Sequence, residues 1–158
     1  MRRLRQGTAS PNFRTRRLGR SDAVVAEKAV RAFKGSSRSA VSLQQFLANP
    51  ANYLLIADAE GDVGGFLMAY RLNRADREAS QMFVYEIGVA MPWRGQGLAS
   101  TLVEEIKALA RAEGMFEVFV LTSRDNERAR RLYARTGGLV EDDAAVLFVY
   151  PLEADATA

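Results

Sequence analysis

Apolar residues follow two different spacings along the middle of this chain, and the change of spacing carries the most information. Residues 82–91 form a short apolar run rich in valine, isoleucine and aromatic side chains, which is typical of a buried strand. Pro92 follows, and proline ends strands because it cannot donate to a sheet ladder. Between Leu98 and Leu109, leucine and isoleucine recur at helical spacing. The pattern therefore predicts a strand, a short loop and a helix in succession.

The same patterns predict the remaining elements. Gly61 lies between two apolar runs and is a strong hairpin signal. Ser21 and Asp22 are suitable N-cap residues for a helix that Gly35 would end. Strands precede helices early and alternate with them later, which is typical of a mixed α+β fold with a central sheet. We predict strands at 13–18, 53–57, 63–72, 82–91 and 146–150, helices at 23–33, 43–47 and 98–110, and an exposed polar loop at 73–80.

Composition indicates one globular domain. With 158 residues, 48% of them hydrophobic, the chain is long enough to bury a sizeable core but short for two domains. We expect a flexible Arg-rich leader at 1–11, a single domain at 12–152 and a flexible tail at 153–158. No apolar run approaches the roughly 20 residues that span a bilayer, and the first residues lack a signal peptide's apolar region. We therefore expect a cytoplasmic protein with no membrane partner.

Positive charge is concentrated at the start of the chain. The formal net charge is +3, and seven arginines lie between Arg2 and Arg20. Such a cluster is compatible with nucleic-acid binding. The alternative is a flexible, solvated segment, which we favour because no basic surface interleaved with aromatic residues follows. We accordingly predict no nucleic-acid partner.

Two residue types that carry much enzyme chemistry are missing. The sequence contains neither cysteine nor histidine. This composition excludes disulfides, thiolate metal sites, a cysteine nucleophile and Ser-His-Asp catalysis, and it removes the commonest zinc ligand. We predict no metal site.

The loop before the central helix has the features of a phosphate site. Gly95 and Gly97 lack the Cβ atoms that would keep a phosphate from backbone N–H groups, and the first N–H groups of a helix suit a pyrophosphate. Neither of the two commoner phosphate loops is present, and the remaining pattern is R-x-x-G-x-A at Arg94, Gly97 and Ala99. The alternative is an ordinary glycine-rich turn, but the strand and helix on either side favour phosphate binding.

These motifs resemble the GNAT superfamily of N-acetyltransferases, whose acetyl-coenzyme A motif is a strand, then R/Q-x-x-G-x-G/A, then a helix. The resemblance extends to residues 116–122 as the next strand and to residues 125–137, with Asn126, Leu132 and Tyr133, as the next helix. It implies a central, mostly antiparallel sheet flanked by about four helices, and direct acetyl transfer from acetyl-CoA (coenzyme A) to an amine. Gly137-Gly138-Leu139 departs from the family pattern, which more often has a glycine and then an aromatic residue. The cofactor-binding residues that it implies are Ile87, Val89, Arg94, Gly95, Gln96, Gly97, Leu98, Ala99 and Asn126.

Two residues are candidates for catalysis. Glu86 is a carboxylate inside the apolar strand, where a charge is costly unless it is paired or serves a site. An amine must lose a proton to a base before it can be acetylated, and Glu86 is the candidate for that base. Its alternative is a side chain that points at water from a sheet face. The resemblance implies that Tyr133 donates a proton to the departing thiolate, whereas its spacing from Ala129 and Leu132 also fits a core residue. Asn126 equally fits a helix N-cap, and Arg128, Arg130 and Arg131 fit either a cofactor phosphate or solvent.

A closer resemblance concerns the acceptor. The segments at 85–89, 93–99 and 130–133, with an acidic cluster at 141–143, look like the aminoglycoside 3-N-acetyltransferases. That resemblance implies substrate-binding roles for Tyr85, Glu86, Glu141, Asp142 and Asp143, because a carboxylate-lined pocket suits a polycationic aminoglycoside. The acidic cluster alone also fits a solvated turn. A protein, peptide or polyamine amine stays open as the acceptor, as do a homodimer and a non-catalytic module that binds acetyl-CoA.

Overall fold

The computed structural model describes residues 13–141 and 147–150. The predicted leader at 1–11, Asp142 and Asp143, Val146 and the tail from residue 151 lie outside the described residues. Two short 3-10 helices are found at Arg20–Asp22 and Met91–Trp93. The other elements are β1 (Arg14–Arg17), α1 (Ala23–Lys34), α2 (Ala40–Ala48), β2 (Asn52–Ala59), β3 (Asp62–Leu72), β4 (Gln81–Val89), α3 (Leu98–Ala112), β5 (Val118–Val120) and α4 (Glu127–Arg135).

The described strands form one five-stranded sheet in the order β1-β2-β3-β4-β5. The first three pairs are antiparallel, and β5 runs parallel to β4. Between β2 and β3 the predicted hairpin turns at Glu60 and Gly61, which adopt φ angles of 54° and 89°. Positive φ at both turn positions matches the twist of the flanking strands. The mixed, mostly antiparallel sheet with four helices confirms the predicted fold class.

Helices cover both faces of the sheet. On one face α3 buries Leu98, Leu102 and Ile106 against the side chains of β2, β3 and β4. On the other face α1 and α2 bury small and apolar side chains against alternate residues of β2 and β3. Because successive side chains of a strand point to opposite faces, the same strands serve both cores. The central strands are therefore buried on both sides, which explains their nearly continuous apolar sequences.

Close packing between α3 and the sheet depends on glycines in β3. A Cβ at Gly65 would lie 2.3 Å from Cδ2 of Leu98 and 3.1 Å from the carbonyl oxygen of Gly88. A side chain there would push the first turn of α3 away from the sheet. Gly65 thus sets the position of the α3 N-terminus relative to β4.

Three predictions about elements were wrong or incomplete. Residues 147–150, predicted as a last strand, are not in a strand, and their side chains are between 73% and 82% exposed. The predicted strand at 116–122 is reduced to Val118–Val120, which are in parallel register with residues 82–84 of β4. Asp22 precedes α1 but makes no capping bond to it, because its carboxylate accepts from the Gly19 N–H and from Arg16 instead. A segment becomes a strand only where another strand pairs with it, and a residue caps a helix only where its side chain is not already bonded elsewhere. Local sequence shows neither condition.

Candidate active site

A cleft opens where β4 and β5 separate. Met82 to Val84 of β4 pair with β5, and among the described residues no strand pairs with the rest of this edge, which continues to Val89. Residues of β4, the start of α3 and one face of α4 line a cleft of about 580 Å³. Unpaired strand edges present N–H and C=O groups, which here face a ligand-sized space. The predicted cofactor residues Ile87 and Val89 line the cleft.

The glycine loop forms one wall of the cleft. Gly95 and Gly97 adopt φ angles of 77° and 89°, which residues with a Cβ rarely adopt. Gly97 has no side chain to cap α3, and the first intrahelical bond runs from the Thr101 N–H to the Gly97 carbonyl oxygen at 3.0 Å. The N–H groups of the first turn therefore have no intrahelical acceptor and lie at the positive end of the helix macrodipole. This arrangement fits a phosphate group.

Guanidinium groups add positive charge to the same cleft. Arg94 lines it, and its Nε donates to the Val89 carbonyl oxygen at 3.0 Å, which holds the loop against the end of β4. Across the cleft, Arg128, Arg131 and Arg135 lie on one face of α4. These arginines are three and four residues apart, which is the spacing that places side chains on one face of a helix. The same spacing could have identified Arg135 from the sequence, where it was missed. Trp93 and Ser100 also line the cleft and were missed.

Two predicted cofactor residues have structural roles that the geometry makes explicit. Asn126 lines the cleft, and its Oδ1 also accepts from the Ala129 N–H at 3.1 Å, as an N-cap does. Gln96 is not among the residues that line the cleft, and its amide donates to the Pro92 carbonyl oxygen at 2.8 Å. Gly97, Leu98 and Ala99 line the cleft, and their role in cofactor binding stays a prediction.

A β-bulge in β4 determines where Glu86 points. Met68 pairs with Glu86 and Ala69 pairs with Val84, so Tyr85 is an extra residue in β4. The bulge moves the Glu86 side chain off the α3 face and toward α1. There its Oε1 accepts from Nζ of Lys34 at 2.7 Å. With 28% of the side chain exposed, Glu86 is a paired carboxylate at the edge of the core, as the argument from buried charge required.

Aromatic rings extend from Glu86 across the same side of the sheet. The Tyr85 ring lies 5.8 Å from that of Tyr70 and 5.9 Å from that of Phe83, both edge-to-face. The Phe83 ring stacks on Phe119 at 4.9 Å. Tyr85 is exposed, and burial raises the pKa of Tyr70 above its usual value, with Tyr85 and Glu86 adding to the shift. We call Tyr70, Phe83, Tyr85 and Phe119 the aromatic row.

Tyr133 does not line the cleft. It lines a second groove of about 270 Å³ between α3, β5 and the end of α4, whereas its neighbour Leu132 lines the cleft. Burial raises the pKa of Tyr133 above its usual value, so the phenol stays protonated at neutral pH. The structure thus places the predicted proton donor beside the cleft on α4 and not in its wall.

The acidic cluster is only partly visible. Glu141 is exposed, and Asp142 and Asp143 lie outside the described residues. Among the residues that the structure describes, no group of three or more acidic side chains is placed to hold a metal ion. No helix in the described part of the chain has the length and apolar character that a bilayer crossing requires.

Comparison with known proteins identifies relatives in sequence and in structure. An uncharacterized N-acetyltransferase of Mycobacterium bovis is 28% identical over 114 residues, which cover 72% of this chain and 69% of the relative. A crystal structure of an aminoglycoside acetyltransferase from an uncultured soil metagenomic sample, in complex with sisomicin, has a TM-score of 0.83. It is 24% identical, over 89% of this chain and 97% of that chain.

A second solved structure, the aminoglycoside N-acetyltransferase AAC(6')-Iy in complex with CoA, has a TM-score of 0.72 and 17% identity. The alignment covers 91% of this chain and 97% of that chain. The family model described as the acetyltransferase (GNAT) family matches residues 23–138, which include α1, the glycine loop and α4. By this match the chain belongs to the GNAT acetyltransferase family and is an acetyl-CoA-dependent N-acetyltransferase.

Proposed function

We propose that this enzyme transfers the acetyl group of acetyl-CoA directly to an amino group of an aminoglycoside, at an acceptor site built around Glu86. The observation that carries the acceptor site is the ion pair between Lys34 and Glu86, at 2.7 Å. In this pair a primary ammonium contacts a carboxylate beside the aromatic row. Glu86 is not among the residues that line the cleft, but the next residue of β4, Ile87, is. An acceptor amine needs the same surroundings.

The cleft fits a phosphate-bearing cosubstrate. The positive-φ glycines leave open space where a Cβ would stand, the first turn of α3 offers N–H donors, and arginines of α4 face them. We infer that Arg94, Gly97 and the first turn of α3 hold the pyrophosphate, and that the unpaired edge of Ile87 to Val89 bonds the amide groups of the pantetheine arm. Acetyl-CoA supplies the thioester on which the amine acts.

Glu86 takes the proton that blocks the amine. A primary amine is mostly protonated at neutral pH, and only its lone pair attacks a carbonyl carbon. The hydrogen bond from Lys34 supports this role, because it shows that an ammonium group can approach the Glu86 carboxylate to 2.7 Å. In the proposed step Glu86 accepts the proton of the acceptor amine either directly or through one water. As the C–N bond forms and the C–S bond breaks, the thiolate takes a proton, for which the protonated Tyr133 on α4 is the proposed donor. The second amine proton then restores the Tyr133 phenol through water, so the products are the amide, free CoA thiol and the proton that Glu86 releases to solvent.

Aminoglycosides match the acceptor site in charge and shape. They carry several ammonium groups on sugar rings, and a carboxylate beside aromatic faces binds such cations by ion pairing and cation–π attraction. The likeness of fold to a sisomicin-bound aminoglycoside acetyltransferase supports this choice. Acetylation at the 3-amino group and binding of further ammonium groups by Glu141, Asp142 and Asp143 stay predictions from the sequence resemblance.

Replacement of the base separates chemistry from cosubstrate binding. In Glu86→Gln we expect turnover with an aminoglycoside to fall about 10² to 10⁴-fold, while CoA binding by calorimetry is unchanged. Glu104→Gln is the matched control, since Glu104 also pairs with a lysine, Lys107 at 2.9 Å, but lies on α3. Turnover of Glu86→Gln equal to that of the control would eliminate Glu86 as the base.

A further inference from the structure

Lys34 occupies the position that the proposed mechanism assigns to the acceptor amine. It is the last residue of α1, its side chain is 46% exposed, and its Nζ lies 2.7 Å from Oε1 of Glu86. A general base must lie about 2.6–3.2 Å from the atom whose proton it removes, and this pair meets that condition. The nucleophile is a primary amine on a flexible stem, which is the chemical class of the enzyme's acceptors.

Packing holds the end of α1 against the strand that borders the cleft. A Cβ at Gly88 would lie 3.1 Å from Cδ1 of Phe33, the residue before Lys34, so α1 and β4 are in close contact there. Gly88 also lines the cleft. Gly35 then ends α1 with a φ of 74°. Lys34 is therefore held near the place where the acetyl group must be delivered, while its long side chain keeps rotational freedom.

We propose that Lys34 is a self-acetylation site: when no acceptor is bound, the enzyme transfers the acetyl group to Nζ of its own Lys34. This inference rests on the proposed function, since it uses Glu86 as the base. The Lys34 ammonium gives one proton to Glu86, the neutral amine forms a C–N bond with the acetyl carbonyl carbon, and the C–S bond breaks. The second amine proton passes to the departing thiolate, and the proton on Glu86 is released to solvent. The products are N-acetyl-Lys34, free CoA thiol and one proton.

Modification would change the acceptor site. Acetylation removes the positive charge of Lys34, so the ion pair with Glu86 is lost. An aminoglycoside that binds Glu86 displaces Lys34 from it and protects it. We therefore expect self-acetylation to compete with turnover and to slow as acceptor is added.

The chain offers a simple experiment because it contains only three lysines, Lys28, Lys34 and Lys107. Lys107 is the matched control, since its Nζ also pairs with a carboxylate, that of Glu104 at 2.9 Å, but on α3. Purified enzyme is incubated with acetyl-CoA and no acceptor, and acetylation of each lysine is followed by peptide mass spectrometry. We expect Lys34 to gain an acetyl group at least ten times faster than either control, at a rate that does not depend on enzyme concentration.

Two variants test whether acetylation of Lys34 depends on its amine and on Glu86 as the base. Lys34→Arg keeps a cation beside Glu86 and should abolish the modification, with the other two lysines unaffected. In Glu86→Gln the acetylation of Lys34 should slow about a hundredfold or more. Equal rates at the three lysines would overturn the proposal. Selective acetylation of Lys34 without turnover of any aminoglycoside would support self-acetylation and refute only the assignment of an aminoglycoside as acceptor. Turnover of an aminoglycoside without acetylation of Lys34 would support that assignment and refute self-acetylation.

Discussion

The position of the glycine loop depends on a residue that does not line the cleft, Gly65 of β3. A Cβ at Gly65 would lie 2.3 Å from Cδ2 of Leu98, whereas ordinary contacts are 3.4–4 Å, so Leu98 must move by more than 1 Å. Leu98 is the first residue of α3 and is 1% exposed. The Gly88 carbonyl oxygen, 3.1 Å from the same Cβ, is backbone and cannot swing aside. In Gly65→Ala the strain therefore displaces the first turn of α3.

Overpacking of this kind costs about 1–3 kcal/mol. For a chain of this size, each kcal/mol lowers the midpoint of thermal unfolding by about 2–4 °C, so we expect a loss of about 2–12 °C. The N–H groups of the first turn move with Leu98, and CoA affinity should fall as well. Circular dichroism melting and calorimetric titration with CoA measure the two effects.

A double mutant checks the cause. Leu98→Ala alone creates a cavity that costs about 2–5 kcal/mol, but it also removes the atom that Gly65→Ala strikes. The two losses should therefore not add, and the double mutant should be more stable than their sum predicts by about 1–3 kcal/mol. Additive losses, or a Gly65→Ala protein within about 0.5 kcal/mol of the wild type, would refute the reasoning.

Three further predictions concern stability. Asn126→Ala should lower the free energy of unfolding by about 1 kcal/mol, because the cap of α4 is lost, whereas Asn126→Asp keeps a cap and should cost little in urea titrations. Glu113 accepts hydrogen bonds from the Tyr53 hydroxyl at 2.6 Å and from Arg71. Glu113→Ala should therefore lower the free energy of unfolding by about 1–3 kcal/mol in the same assay. The control Glu27→Ala breaks the exposed ion pair with Arg31 and should lower it by about 0.5 kcal/mol or less. Burial raises the pKa values of Tyr53 and Tyr133, so the unfolded chain loses these phenolic protons first. Unfolding titrations from pH 8 to 11 should therefore show constant stability below about pH 10 and a decline above it, with a smaller decline in Tyr133→Phe.

Local sequence was sufficient for the centre of the fold. The strand before Pro92, the glycine loop and the apolar spacing of α3 were predicted because each depends on residues that are neighbours in the chain. The same holds for the hairpin at Gly61. These elements form the walls of the cleft, and residues that the family resemblance implies for cofactor binding, Val89 and Gly97 among them, line it.

Features that depend on distant partners could not be read in this way. Side chains alternate between the two faces of a strand, so Glu86 would share the α3 face with Met82 and Val84 if β4 were regular. The bulge opposite Met68 shifts this alternation by one residue and turns Glu86 toward α1. The ion pair with Lys34 joins residues that are 52 positions apart. Residues 147–150 have a strand's composition, but without a strand partner the composition does not decide their structure.

Release of free CoA thiol from acetyl-CoA, with gentamicin as acceptor, tests the central claim most directly. Lysine peptides and spermidine are run alongside, together with Glu86→Gln and the Glu104→Gln control. The account predicts turnover with gentamicin by the wild type and the control, loss of that turnover in Glu86→Gln, and little activity on the other acceptors. Activity on a peptide or on spermidine with none on gentamicin would contradict the assignment of an aminoglycoside as the acceptor.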